Sequence, residues 1–353
     1  MRITEADVPA LERGVALLGS GGGGDTRTAA VLLRRLTGGS EVVDVSALDP
    51  AAVVVPIGIV GATSALTEKL PGGAEFGTAV SAIERWTGQR ADALVSIEVG
   101  GLNGLMPLVV AADLGLPCVD ADLSGRGLPR LDQLSIAATG RGLAPAALAE
   151  PSGQVLVLAA GTDSSIERGA RAFLATAGGW AAMAFGPVPA GELPGCAVVG
   201  SVGAALELGR RVLAAGEGPE PGALAAASGG RVLARGRVLE VSRHVGPGSH
   251  GSPGFGRGSA TVADHRDGAL LRLEMENEYL LALRDGSPAA STPDVIAVVD
   301  HRTGVPVLCE AIRSGIEVDV LQLAAAPFWT DPRRLPVLQP RAYGIDSDPV
   351  LVS

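Results

Sequence analysis

Apolar positions in the first 160 residues switch between two periods. Val8, Leu11, Val15 and Leu18 fall three and four apart, the spacing of one helix face. "TRTAAVLLRRL" (26–36) repeats that pattern after a glycine run, with Asp25 or Thr26 in capping position. Between the helical stretches lie short β-branched runs that read as buried strands: "SEVVDVSAL" (40–48), "AAVVVPIGIVG" (51–61), "ADALVSIEVGG" (91–101) and "LPCVDAD" (116–122). "GTAVSAIERWTG" (77–88) and "NGLMPLVVAADLG" (103–115) are the helices that separate them, and "GQVLVLAAG" followed by "SSIERGARAFLATAGG" makes a last unit. Strands alternating with helices predict βαβ units, hence a three-layer α/β/α domain with a mostly parallel sheet.

The pattern changes after one more amphipathic helix, "GAALELGRRVLAAG" (203–216). From "RVLARGRVLEVSRHV" (231–245) onward it becomes β-rich, through "SATVAD", "GALLRLEMENEYLLALRDG", "DVIAVVDHRTGVPVLCEAI" and "IEVDVLQLA", joined by turns such as R-D-G and R-T-G. We place the boundary near residue 165, giving an α/β domain over 1–165 and a β-rich α+β domain over 166–353.

Composition narrows the function. With 353 residues the chain is long enough for two domains with cores of their own. It carries 28 Lys+Arg against 38 Asp+Glu, a net charge of −10, which argues against a nucleic-acid binder relying on clustered cations. Pro, Gly or a charge breaks each apolar stretch before it is long enough to span a membrane. The opening residues, "MRITEADVPALERG", hold early acids and no apolar core, so no signal peptide is expected and a cytoplasmic location is the default. Cys118, Cys196 and Cys309 are too few and too scattered for a disulfide framework or a C-x-x-C zinc site. His244, His250, His265 and His301 show no metal-ligand spacing, and neither G-x-S-x-G nor a Walker A loop occurs.

Gly19, Gly21 and Gly24 fit G-x-G-x-x-G, with Asp44 twenty residues further on, the written form of a dinucleotide fingerprint. That motif needs a strand before its first glycine, whereas here the preceding residues have helical period. With 50 glycines in the chain a chance match is cheap. No nucleotide is expected. A glycine loop ahead of a helix still offers N–H groups and a favourable dipole to an anion.

A stronger constellation spans 96–132. Glu98 and the loop Gly100-Gly101-Leu102-Asn103 end one predicted strand, and Asp120 and Asp122 end the next. The carboxyl ends of parallel strands are where ligands bind in such sheets. In extended chain Asp120 and Asp122 point to one side, so they are expected to raise one another's pKa or share a cation. Arg126 follows on a glycine-flanked loop suited to reach an anion. In the second half, "ENEYLLALRDG" supplies Glu276, Asn277 and Glu278, and "GSHGSPGFGRGSATV" supplies His250 and Arg257.

The segments "LGSGGGGD", "GATSALTEKL", "SIEVGGLNGLMPL", "PCVDADLSGRGLPRL", "GFGRGSATV", "ENEYL", "PDVIAVVDHRTGVPV" and "PRAYGID", in that order, resemble the S-methyl thiohydantoin desulfurase family over nearly the whole chain. The family more usually shows Asp-Gly-Asp and Gly-Arg-Ala-Phe-Pro where this chain has Asp-Ala-Asp and Gly-Arg-Gly-Leu-Pro. The resemblance makes the glycine run the family's own loop, with Gly22, Gly23, Gly24 and Asp25 lining the pocket that holds Asp120. It implies hydrolysis at C2 of a five-membered thiohydantoin ring, a cyclic ureide, to give a hydantoin and a thiol or sulfide, by a protein expected to form a homo-oligomer.

Such chemistry must activate a water, by a carboxylate tuned upward or by a metal such as zinc. Glu98, Asp120 and Asp122 are the candidates for either task. Asn103 or the N–H groups of Gly100 and Gly101 would stabilise developing charge. Arg126 would hold an acidic ring substituent, and Asn277 with Glu278 would close the site from the second domain. Two rivals stay open: a non-catalytic hydantoinase-associated subunit, and a nucleotide-dependent oxidoreductase.

Overall fold

The computed structural model describes residues 1–62, 65–216, 220–244 and 256–352. His250, the first two residues of "GFGRGSATV", and Thr63 and Ser64 of "GATSALTEKL" lie outside the described residues.

Ten strands make the first sheet: β1 (Arg2–Ile3), β2 (Ser40–Val43), β3 (Val53–Gly61), β4 (Ala93–Ser96), β5 (Cys118–Asp122), β6 (Ala146–Ala149), β7 (Val155–Leu158), β8 (Trp180–Phe185), β9 (Val188–Pro189) and β10 (Val198–Val199). Their order is β1-β2-β5-β4-β3-β8-β6-β7, with β9 against β3 and β10 against β5. The centre, β2-β5-β4-β3, is parallel. Helices Ala74–Thr87 and Met106–Leu114 make the crossovers from β3 to β4 and from β4 to β5. The last unit runs the other way: β6 and β7 form a hairpin closed by Gly153 N–H donating to Glu150 O at 2.9 Å, and β8 lies antiparallel to β3. A connection that short can join only antiparallel strands.

Alternation along β3 explains its unbroken apolar run. Val55, Ile57 and Ile59 enter one core with helices Val8–Leu18, Ala74–Thr87 and Met106–Leu114, whereas Val54 and Val60 enter another with helix Asp163–Thr176. Successive side chains face opposite sides, and both sides are covered. The result is the expected three-layer α/β/α arrangement.

The second sheet is antiparallel throughout, in the order β15-β14-β13-β12-β11-β17-β16. Its strands are β11 (Arg231–His244), β12 (Arg257–Asp264), β13 (Leu270–Glu276), β14 (Glu278–Arg284), β15 (Ser287–Ser291), β16 (Val295–Asp300) and β17 (Glu317–Leu323). Register shifts at Val232/Ala234 and Val238/Glu240 interrupt the ladders of the long β11, and bulges of that kind curl a sheet. The R-D-G turn is real: Asp285 and Gly286 both have positive φ, as a tight hairpin demands.

The halves share an apolar seam. Leu17, Leu208, Val212 and Leu224 from helices pack against Val295, Ala297 and Val299 of β16 and Leu321 and Leu323 of β17. The first sheet reaches to Val199, and helix Ser201–Ala214 packs on helix Val8–Leu18 before the second sheet begins at Arg231. The chain then returns to its first half, where Trp329 Nε1 donates to Ser124 O at 2.5 Å and Gln133 Nε2 to Val337 O at 3.3 Å. Among the described residues no helix is long and apolar enough to cross a membrane.

A candidate active site between the two domains

The glycine run is entered directly from helix Val8–Leu18 and not from a strand. It acts as a hub between the sheets. Its carbonyls, with that of Leu18, accept from N–H groups far apart in sequence: Gly127 to Leu18 O at 2.8 Å, Tyr279 to Ser20 O at 2.7 Å, Cys309 to Gly21 O at 2.8 Å and Leu102 to Gly23 O at 2.8 Å. Ser20 Oγ adds bonds to the carbonyls of Tyr279 and Ile296. Gly23, at φ +72°, lies directly on Gly100 and Gly101, where a Cβ would stand 2.7 Å from Gly100 O. Gly22 is pressed against the second domain, since a Cβ there would collide with Glu278 Oε1 and stand 2.6 Å from its Cδ.

Beneath this loop Glu98 is 8% exposed. Its Oε1 accepts from Leu128 N–H at 2.6 Å and its Oε2 from Asn103 Nδ2 at 3.1 Å. Asn103 is itself fixed to the edge of β3, accepting from Ile59 N–H at 2.7 Å and donating to Ile59 O at 3.0 Å. Both its N–H bonds are therefore committed, so Asn103 positions Glu98 and has no donor left for a substrate. Burial pushes the Glu98 carboxyl up to about 8, against the opposing pull of those hydrogen bonds.

Glu278 comes from the other domain and is fully buried. The β13–β14 hairpin turns at Asn277 alone, with Glu276 paired to Glu278. Asn277 takes φ +63°, a left-handed conformation that Asn tolerates better than most residues. Its Nδ2 donates to Glu278 Oε1 at 2.6 Å, while Glu278 Oε2 is buried without a partner among the described residues. Burial first, and the Glu98 charge second, hold this carboxyl well above the usual range. Glu98, Asn103, Gly23, Asn277 and Glu278 line one cavity, walled by Ile59, Ile97, Leu102, Leu128 and Leu131. Two carboxyls whose charges repel at close quarters titrate as a pair and share protons between them.

The structure corrects three other expectations. Asp120 does not line this cavity: its Oδ1 accepts from Val202 and Gly203 N–H groups at 2.9 and 3.0 Å, capping helix Ser201–Ala214. Asp122 turns elsewhere and ties down the loops on either side of Glu98, its Oδ2 accepting from Val99 at 2.7 Å, Ser124 at 3.0 Å and Gly125 at 2.6 Å. The two aspartates are thus put to separate uses: Asp120 serves the start of helix Ser201–Ala214, and Asp122 the loops that follow β4 and β5. Burial raises Asp122 to about 6, and its charge in turn raises Glu98. Arg126 is 2% exposed and not on a free loop: its Nη1 donates to Thr292 Oγ1, Pro293 O and Asp294 O at 3.1, 2.9 and 2.7 Å. Gly24 and Asp25 face a surface groove, where Asp25 pairs with Arg27. Asp120→Ala is accordingly expected to cost about 1 kcal/mol, the usual worth of a cap, seen as a lower melting temperature.

Sequence reading missed Tyr343. It sits in the closing segment "PRAYGID", fully buried, with the charges of Arg126 and Glu278 acting on it and the Arg130 guanidinium 5.8 Å over its ring. Among the described residues no three His, Cys, Asp or Glu side chains are placed to hold a metal ion.

Two family models together span the chain. One, described as the S-Me-THD-like N-terminal domain, matches residues 6–160, and the other, the S-Me-THD-like C-terminal domain, matches residues 161–352. A crystal structure of a protein from Chromobacterium violaceum is similar in fold over 100% of both chains, with a TM-score of 0.80 at 24% identity. No curated protein matches the sequence.

Proposed function

The chain belongs to the S-Me-THD-like family, and from that premise we propose that it hydrolyses a thiohydantoin or S-methyl thiohydantoin to a hydantoin, releasing sulfide or a thiol, at the cavity between Glu98 and Glu278. The observation that carries the reading is the meeting of two buried carboxyls, one from each domain, both raised.

Their environments divide the roles. Both Glu98 oxygens already accept hydrogen bonds, so Glu98 is the better carrier of the charge. Glu278 keeps one oxygen without a partner and is the better carrier of the proton. Glu98 takes a proton from water as the oxygen adds to C2 of the N=C2–S form of the ring (for a thiohydantoin, its thiol tautomer), while Glu278 protonates that ring nitrogen and makes C2 more electrophilic. As the tetrahedral carbon collapses, the C2–S bond breaks. Glu98 returns its proton to the departing sulfur, and the added hydroxyl gives its own to Glu278. One water is consumed, one thiol leaves, and the pair is reset.

The pH dependence follows from the same pair. Glu98 must lose its proton and Glu278 must keep one, so the rate is expected to rise toward pH 8, where Glu98 ionises, and to fall once Glu278 ionises as well. Thiol release from S-methyl thiohydantoins, measured with a chromogenic thiol reagent across pH, tests this. A folded protein that releases no thiol from a broad ring panel would leave the accessory-subunit reading instead, and an optimum well below pH 6 would remove Glu98 as the base.

A further inference from the structure

Four buried polar atoms crowd one corner of the interface without a hydrogen-bond partner among the described residues: Arg126 Nη2, Tyr343 Oη, Glu278 Oε2 and Gln133 Oε1. They belong together. Tyr343 and Arg126 are mutual neighbours, each also feels Glu278, and Gln133 lies against the tyrosine hydroxyl, near enough to polarise it but too poorly placed to close a full hydrogen bond. A buried polar group left unpaired costs free energy, and four in one place mark a position built to receive something.

The corner is also held rigidly. Arg126 is anchored by three bonds through Nη1. The Tyr343 backbone is gripped by Arg257, whose Nε bonds Glu276 at 3.2 Å just ahead of Asn277, and the next carbonyl back, Ala342 O, accepts from Arg130 at 3.4 Å.

We propose that Arg126 Nη2 and Tyr343 Oη form a subsite for a neutral carbonyl oxygen, with Gln133 Oε1 accepting from the N–H beside it, so that together they read the amide edge at C4 of a hydantoin-type ring. The subsite rests on the ring class proposed above. Two donors suit an oxygen with partial negative charge, and a neighbouring acceptor suits the adjoining N–H. A carboxylate fits poorly. The Arg126 charge already faces the charges of Asp294 and Glu98, so a further anion would meet like charge. This moves Arg126 from the expected role of holding an acidic substituent to that of holding the ring itself.

Hydantoin and 2-imidazolidinone differ by that carbonyl, so their binding to the full chain by titration calorimetry isolates it. The wild type should prefer hydantoin. Tyr343→Phe should weaken hydantoin by about 3- to 10-fold, the scale of one hydrogen bond to a neutral acceptor, leave 2-imidazolidinone within about twofold, and keep its melting temperature. Equal losses for both rings, no loss for either, or a wild type without the preference would overturn the subsite. Thiol release by the wild type is scored separately: the expected binding pattern without any thiol would support the subsite and sink the hydrolytic reading.

Discussion

Glu98→Gln is expected to lower turnover by at least ~10²-fold, the scale on which a lost general base is felt. Gln keeps the size and one acceptor but has no charge to draw a proton from water. The same substitution carries a signature in stability. The wild-type carboxyl moves from the usual 4.5 to about 8 on folding because burial penalises its charge. A group raised in this way contributes stability that is complete below its unfolded value and is lost as pH rises through its folded one. Wild-type stability should therefore decline between pH 4.5 and 8, and the variant lacks that contribution. The melting-temperature difference, variant minus wild type, should grow across the window. Turnover within a few-fold of wild type would remove Glu98 from the chemistry, and a flat difference would show that its carboxyl is ionised normally.

Gly101→Ala is expected to cost about 2–4 kcal/mol, combining an overpacked contact with a left-handed backbone. Gly101 has φ +68°, and its Cβ would stand 2.5 Å from the Gly23 carbonyl carbon and 2.6 Å from Gly23 Cα. Both are backbone atoms, fixed by the bond from Leu102 N–H to Gly23 O. Gly115 provides the control, with the same φ of +68° and nothing within 4 Å of its Cβ. Gly115→Ala should show the backbone cost alone, so the difference between the two variants in urea midpoints measures how closely the glycine loop and the Glu98 loop are pressed together. Equal losses would mean that the contact is soft.

The parallel centre of the first sheet was legible because helices buried on one face and strands buried on two have different periods. So was the placing of Glu98 and Asn103 at a strand's carboxyl end, which depends only on where β4 stops. The aspartates were not legible. Asp120 caps a helix 82 residues later in the chain, and Arg126 bonds to groups 166–168 residues away; local spacing holds no trace of either. A signal for Tyr343 did exist. The chain has only two tyrosines, and both stand inside segments already singled out for their resemblance.

The return of residues past 327 to the first domain has a consequence for the order of events during synthesis. Glu98 and its supporting loops are complete once residue 128 has emerged, but Glu278 and Tyr343 emerge last, from another sheet. Until they dock, Glu98 has neither the second carboxyl nor the tyrosine beside it. A nascent or clipped chain lacking those final residues has Glu98 and its loops but neither the second carboxyl nor the tyrosine, so on the proposed mechanism thiol release waits for both.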